Sequence, residues 1–289
     1  MSKNASSDFD GDRKPGNPQE TLNKENFYYS GFFAAEMTCS VIKAQNYNPK
    51  RHYYYAVDIT VTNADKFLLQ NINRAVMDKR GIITPIKGGY NLSARGKNRV
   101  RKVLEFFDRY PVIVGDIAKD RLAFLREAFM YLETHRGSSF REQKTEMMNT
   151  IRNKLKKVKE KGSATRSYER ENVCKDSVGY FLAGLLDGDG SFGFKKRGIY
   201  QQPYFMIAMK DRKIIDLFQE FLHYGKVRKR KDGVYHYEIN HSKVLQQEVI
   251  PIFLYHYPLR HKKQRNRLKK LQRILNDYTR NSSPSMERG

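Results

Sequence analysis

The sequence predicts an α+β protein of two pseudo-symmetric αββαββα repeats, with one helix from each packed at their interface and antiparallel sheets forming a saddle. Three observations predict it. Three blocks recur in the same order along the 289 residues: Phe27–Val41 with Gly179–Phe194, Tyr53–Phe67 with Gln202–Ile215, and Tyr110–Phe129 with Tyr257–Leu275. Residue 36 aligns with 189, 59 with 205 and 110 with 257, so the offsets are 153, 146 and 147, too constant for chance. Within each copy the apolar spacing also changes from helix-like to strand-like in the same order.

The elements follow in turn. Copy two opens with a helix of apolar and small residues, for which Asp176 and Ser177 offer an N-cap before Val178. Ser191–Tyr200 and Pro203–Met209 alternate or run apolar, as strands do. Lys213–Leu222 places Ile214, Leu217, Phe218 and Phe221 on one helical face. Tyr224–Lys231 and Val234–Asn240 form a hairpin around Asp232-Gly233, a strong turn signal. In copy one the same grammar gives a helix over Lys66–Met77 and strands near Ile82–Ile86 and Tyr90–Arg95. Between the copies, Met147, Ile151, Leu155 and Val158 recur at helical spacing among lysines, and 162–167 reads as a flexible joint. The expected organisation is a disordered polar tail (1–24), a first repeat (25–136), a basic, partly helical linker (137–170), a second repeat (171–278) and a tail (279–289).

Composition narrows the function. Fifty-five Lys and Arg against 31 Asp and Glu give a net charge of +24, which a polyanionic partner would relieve. No stretch approaches a membrane span, and no basic helix shows the apolar face of a membrane-surface binder. The N-terminus has no apolar run for secretion and carries acids that transit peptides avoid. Cys39 and Cys174 form no metal or disulfide pattern, and the seven histidines fall in no zinc spacing. A basic ribosome-associated protein would explain the charge but not the duplication.

The chemistry sits in one motif. Leu182–Gly190 reads LAGLLDGDG, and Tyr29–Met37 reads YSGFFAAEM at the matching place. Gly184 and Gly188 lie four apart, as do Gly31 and Ala35, and Ser30 and Ala183 add a further small position in each. Small residues at this spacing let two helix backbones approach closely. Asp189 and Glu36 follow at the eighth position of each motif, so two crossing helices would bring both carboxylates out together. Such anions repel unless a cation lies between them, and helix C-termini favour positive charge. A hard divalent ion, Mg²⁺ or Mn²⁺, fits, with water and phosphate oxygens completing its shell.

These two motifs and the repeat that frames them, from about Asn26 to Tyr278, resemble the LAGLIDADG homing endonucleases and intron maturases. The resemblance implies that Glu36 and Asp189 bind catalytic metal, that Lys262 is the basic residue completing a site, and that Asn63 is the polar residue of the second strand. It implies metal-assisted hydrolysis of a long double-stranded DNA site by a monomer, or RNA binding by a group I intron maturase with reduced or lost cleavage. It also implies an organellar protein, in chloroplast or mitochondrion, if organelle-encoded, and otherwise an intracellular one. Copy one departs from the pattern: Ala34 matches Asp187, Met37 stands where glycine is usual, and the YP anchor aligns Gly115 with Lys262. In copy two Met209 matches Asn63.

Strand alternation supplies candidates for the DNA face of the saddle, whose ribbon-like strands suit a major groove. In copy two these are Lys195 and Arg197, then Lys226, Arg228 and Arg230, then Tyr235 and Tyr237. In copy one they are Lys43 and Gln45, Tyr53 and Tyr55, then Asn91, Ser93 and Arg95.

Overall fold

The computed structural model describes residues 22–45, 53–135, 141–160, 173–198 and 200–281. The first repeat runs α1 (Phe27–Glu36), β1 (Thr38–Gln45), β2 (Tyr53–Asn63), α2 (Lys66–Met77), β3 (Ile82–Ile86), β4 (Gly89–Arg95), α3 (Lys97–Arg109) and α4 (Asp116–Thr134). After α5 (Arg141–Glu160), the second repeats it: α6 (Lys175–Asp189), β5 (Gly190–Arg197), β6 (Tyr200–Met209), α7 (Arg212–Leu222), β7 (Lys226–Lys229) and β8 (Tyr235–Ile239). It closes with α8 (Ser242–Val244), which continues into π-helical turns at Leu245–Val249 and Ile252–His256, and α9 (Lys262–Asn281). Each repeat thus has the expected αββαββα order plus one more closing helix. The tails outside 22–281 and the joint at 162–167 lie outside the described residues. No helix among those described is long and apolar enough to cross a membrane.

Each repeat carries a four-stranded antiparallel sheet, β1-β2-β4-β3 and β5-β6-β8-β7. One face of each packs on helices: Cys39, Val41, Val57, Ile59, Val61, Leu92 and Ala94 are buried in the first sheet, and Phe192, Phe205, Ile207, Tyr237 and Ile239 in the second. The alternate positions form an open face.

Helices α1 and α6 are buried on nearly every side, since each packs against the other and against its own sheet. The small residues permit it. A methyl on Gly31 would overlap the Phe181 carbonyl, and one on Gly184 the Tyr28 carbonyl, the two contacts being related by the pseudo-symmetry. Gly184→Val is therefore expected to cost about 3 kcal/mol or more, because backbone blocks the new atoms. Tm should fall by roughly 6 °C or more in a thermal melt; an unchanged Tm would refute this packing.

Several sequence expectations are adjusted. Helix α6 begins at Lys175, with Cys174 rather than Asp176 or Ser177 at its N-cap and no side-chain cap. Asp176 instead accepts a hydrogen bond from the Tyr257 hydroxyl at 2.9 Å. In α5 the buried methionine is Met148, whereas Met147 is only half-buried; Ile151, Leu155 and Val158 are buried as expected. Ser30 serves its own repeat, donating to the Tyr110 carbonyl at 2.6 Å.

The repeats are also tied by a reciprocal pair of caps. Asp65 caps α2 with one carboxylate oxygen, and with the other accepts from the Lys262 amide at 3.0 Å. Asp211 caps α7 and reaches the Ile117 amide at 3.3 Å. One aspartate thus caps a helix in its own repeat and bonds the first turn of a helix in the other.

Candidate active site and nucleic-acid interface

Chain direction creates the site. Helix α1 ends at Glu36 and enters β1 two residues later, and α6 ends at Asp189 and enters β5 at once. The packed helices therefore deliver one acid from each repeat to the place where both sheets start. Gly188 lies against the first helix end: a methyl there would meet Ala35 Cβ at 2.6 Å and Glu36 Cγ at 3.2 Å. Glu36 is half-buried and Asp189 exposed.

Both acids hold protons more tightly than usual. Loss of hydration, with the neighbouring Asp189 charge as the second cause, raises the Glu36 pKa to about 7. Loss of hydration raises Asp189 to about 6. No cluster of three or more His, Cys, Asp or Glu side chains able to hold a metal occurs among the described residues. Two carboxylates would leave most positions on a hard cation to water and substrate oxygens, which suits Mg²⁺ or Mn²⁺ at a phosphodiester.

Asp187 is structural. It is buried, and its Oδ2 accepts from the Tyr28 hydroxyl at 2.7 Å and from the Arg260 and His261 amides at 2.6 and 2.9 Å. It thereby ties α6 to α1 and to the segment entering α9. Burial raises its pKa to about 6 against these hydrogen bonds. Ala34, at the matching place in α1, has no such reach.

Lys262 lies in a cleft of about 830 Å³ shared with Asp65, Lys66, Phe67 and Tyr90. Its counterpart is not Gly115. Gly115 and His261 are the N-caps, each accepting from the amide four residues on, so Lys262 matches Asp116. The loop from Tyr110 is one residue longer than that from Tyr257, which sequence alignment missed. Asp116 is buried and paired with Lys213 at 3.0 Å, so the charge at this place is reversed between the repeats. Near Asp189 a cavity of about 370 Å³ is lined instead by Arg121 and Lys210, with Ala34, Ala35 and Met209. Arg121 also donates to the Met37 carbonyl at 2.7 Å, holding the exit of α1. Asn63 pairs with Tyr90 across the strands and its Oδ1 accepts a hydrogen bond from the Asp65 amide at 2.9 Å. It forms the turn into α2.

Strand register places some of the residues expected at the DNA face on the open faces of the sheets and others on the core side. Asn91, Ser93 and Arg95 share one face with Thr60, Thr62 and exposed Tyr54. Lys195, Arg197, Lys226 and Arg228 share one face with Gln202, Tyr204, His236 and Glu238. Arg230 follows β7 in the hairpin turn and pairs with Asp232 at 2.8 Å. Tyr237, by contrast, is 0% exposed and donates to the Tyr224 carbonyl, and Tyr235 shares its core-side parity. Lys43, Gln45, Tyr53 and Tyr55 are also on the core-side parity of their sheet. There Tyr53 hydrogen-bonds Thr145 of α5 at 2.9 Å beneath the Lys43 ammonium, and Tyr55 packs on the core. These six residues face away from the saddle. Tyr54, Gln202 and His236 lie on the open faces instead, and only the strand parity, once tied to the helices, reveals them.

The fold is a two-repeat α+β architecture in which each interface helix ends on a carboxylate, Glu36 in one repeat and Asp189 in the other. More particularly, residues 182–276 match the family model described as LAGLIDADG endonuclease, and the fold of the whole described chain is similar to that of solved LAGLIDADG homing endonucleases. Among solved structures, LAGLIDADG homing endonuclease I-GzeII in complex with its DNA target is similar at 16% identity, with a TM-score of 0.72 over 90% of this chain and 93% of that one. I-SmaMI bound to uncleaved DNA target with calcium ions is similar at 20% identity, with a TM-score of 0.71 over 91% and 95%. I-SmaMI bound to cleaved DNA is similar at 20% identity, with a TM-score of 0.70 over 90% and 91%. No curated protein matches the chain.

Proposed function

We propose that this chain is a monomeric, site-specific homing endonuclease that hydrolyses phosphodiesters of a long double-stranded DNA site with Mg²⁺ or a similar hard divalent ion. The meeting of Glu36 and Asp189 at two helix ends carries the reading. Paired acids with raised pKa values are poorly placed for stability and well placed to share a cation. A bound divalent ion would polarise phosphate oxygens and make water a stronger nucleophile. The chain's own part is to fix the two carboxylates, to line the cavity beside Asp189 with Arg121 and Lys210, and to hold DNA on two polar sheets. The solved structures with bound DNA support this partner for a chain of net charge +24.

Intron-free host DNA incubated with protein and Mg²⁺ is expected to show one double-strand cut. Binding in parallel should weaken steeply with salt, log K falling by about 0.9 per neutralised phosphate. Protein that binds no site preferentially and never nicks DNA would overturn the proposal.

A second reading, RNA binding by an intron maturase, is favoured by one observation. Phe67 is 69% exposed in the Lys262 cleft, whose rim also carries Lys66, Lys263, Arg267 and Lys270. An exposed ring among cations suits an unstacked base on a phosphate chain. Intron RNA bound more tightly than DNA would favour it. An organellar setting is part of either reading and rests on the family resemblance.

A further inference from the structure

Each sheet has one acid buried in its open face. Glu238 of β8 keeps 7% of its side chain exposed, yet its register partners are Met206 and Lys226 on the polar face. One carboxylate oxygen is held by the Lys195 ammonium from β5 and the other by Arg228 Nη2 from β7 at 2.6 Å. The cations lie above it, Lys195 with 40% and Arg228 with 66% of the side chain exposed. In the first sheet Asp58 is likewise 7% exposed, accepts from Ser93 Oγ at 2.7 Å, and lies 3.5 Å from Arg95, which is 59% exposed.

We propose that Glu238 and Asp58 are positioning residues that fix the cations above them as rigid base-reading units and so set sequence discrimination, one in each half of the DNA site. The inference rests on the endonuclease reading and names residues that serve its specificity.

The argument is electrostatic. A long cationic side chain on a DNA-facing sheet is drawn first to phosphates, which carry no sequence information. A carboxylate buried in the sheet opposes that. If Lys195 or Arg228 swings to a phosphate, a buried charge loses its partner, which is far more costly than breaking an exposed ion pair. The cations are therefore held over the strands, where base edges pass. Arg228 gives one terminal nitrogen to Glu238 and keeps N–H groups for guanine O6 and N7. Holding the cations before binding also removes the cost of ordering them. Glu238 is itself kept charged: Lys195, Arg228 and the Asn240 amide lower its pKa against the opposing effect of burial.

The test is selection from a randomised duplex pool by wild type, Glu238→Gln and Asp58→Asn, with Ca²⁺ in place of Mg²⁺. Affinities for an enriched duplex and a scrambled one are then compared. Glu238→Gln is expected to flatten base preference at a few adjacent positions in one half-site and to lower the enriched-to-scrambled ratio about tenfold or more. Affinity for scrambled DNA should hold or rise, and its salt slope should steepen by up to about two as two cations turn to phosphates. Asp58→Asn should act on the other half-site. Equal weakening on both duplexes, with base preferences intact, would assign the acids a merely structural role and overturn the inference. A wild-type pool with no enriched sequence would sink the endonuclease reading along with it. Should Glu238→Gln fail to fold, Lys195→Met and Arg228→Met replace it: loss of preference at the same positions supports one coupled unit, and independent effects refute it.

Discussion

Asp189→Asn and Glu36→Gln should each reduce double-strand cleavage by on the order of 10³-fold or more while DNA binding persists. Each amide keeps the shape of the acid and removes the charge a divalent ion needs. Because the acids lie beside each other, one from each repeat, losing either alters the cation environment of both. A merely structural role would give the opposite pattern, with binding and cleavage declining together. Stability provides an independent check. The raised pKa of Glu36, about 7, means that the unfolded chain gives up its proton more readily than the folded one. Folding is therefore weakened as pH rises from the ordinary carboxylate range to about 7, and the full penalty applies above that. At pH 8 without divalent ions, Glu36→Gln is expected to melt higher than wild type, by about 1–3 °C once its partial exposure is allowed for. Mg²⁺ should narrow the difference by stabilising only the wild type. A cleavage-competent Glu36→Gln would remove the basis for the site.

The sequence resolved the parts of this molecule governed by local chemistry. The small residues of LAGLLDGDG and YSGFFAAEM announced a close helix pair, and Gly31 and Gly184 do meet the opposite backbone. Helix α2 occupies the expected Lys66–Met77 because Asp65 caps it and its apolar spacing is clean. The strands were found, but their faces were not always right. Alternation shows that Tyr235 and Tyr237 share a face without saying which, and an amphipathic ring suits either. Tyr53 was misread for another reason: α5, far along the chain, covers the side of the sheet on which it lies. Glu238 and Asp58 escaped because an acid in a strand reads as a solvated residue until its cationic neighbours on other strands are known. The reversal of charge between Lys262 and Asp116 was hidden by a single residue of loop length.

The Mg²⁺-assisted cleavage proposed for this chain is expected to depend steeply on pH. Glu36 and Asp189 have pKa values of about 7 and 6, both raised, so each is protonated and unable to hold a cation below its value. At Mg²⁺ concentrations well below saturation, the rate reports the fraction of protein with both acids ionised. Log rate against pH is expected to be flat above about 7.5, to rise with slope one between about 6 and 7, and to approach slope two below 6. The lower limb then spans about 100-fold per pH unit. The two bends belong to the pair rather than to either residue, because each charge raises the proton affinity of the other. Saturating Mg²⁺ should shift both bends to lower pH, since the ion competes with protons for the same oxygens. Measuring DNA binding in parallel separates this effect from any titration on the sheets. A rate that varied less than tenfold between pH 5 and 8 at low Mg²⁺, with binding constant, would mean that these carboxylates do not hold the ion.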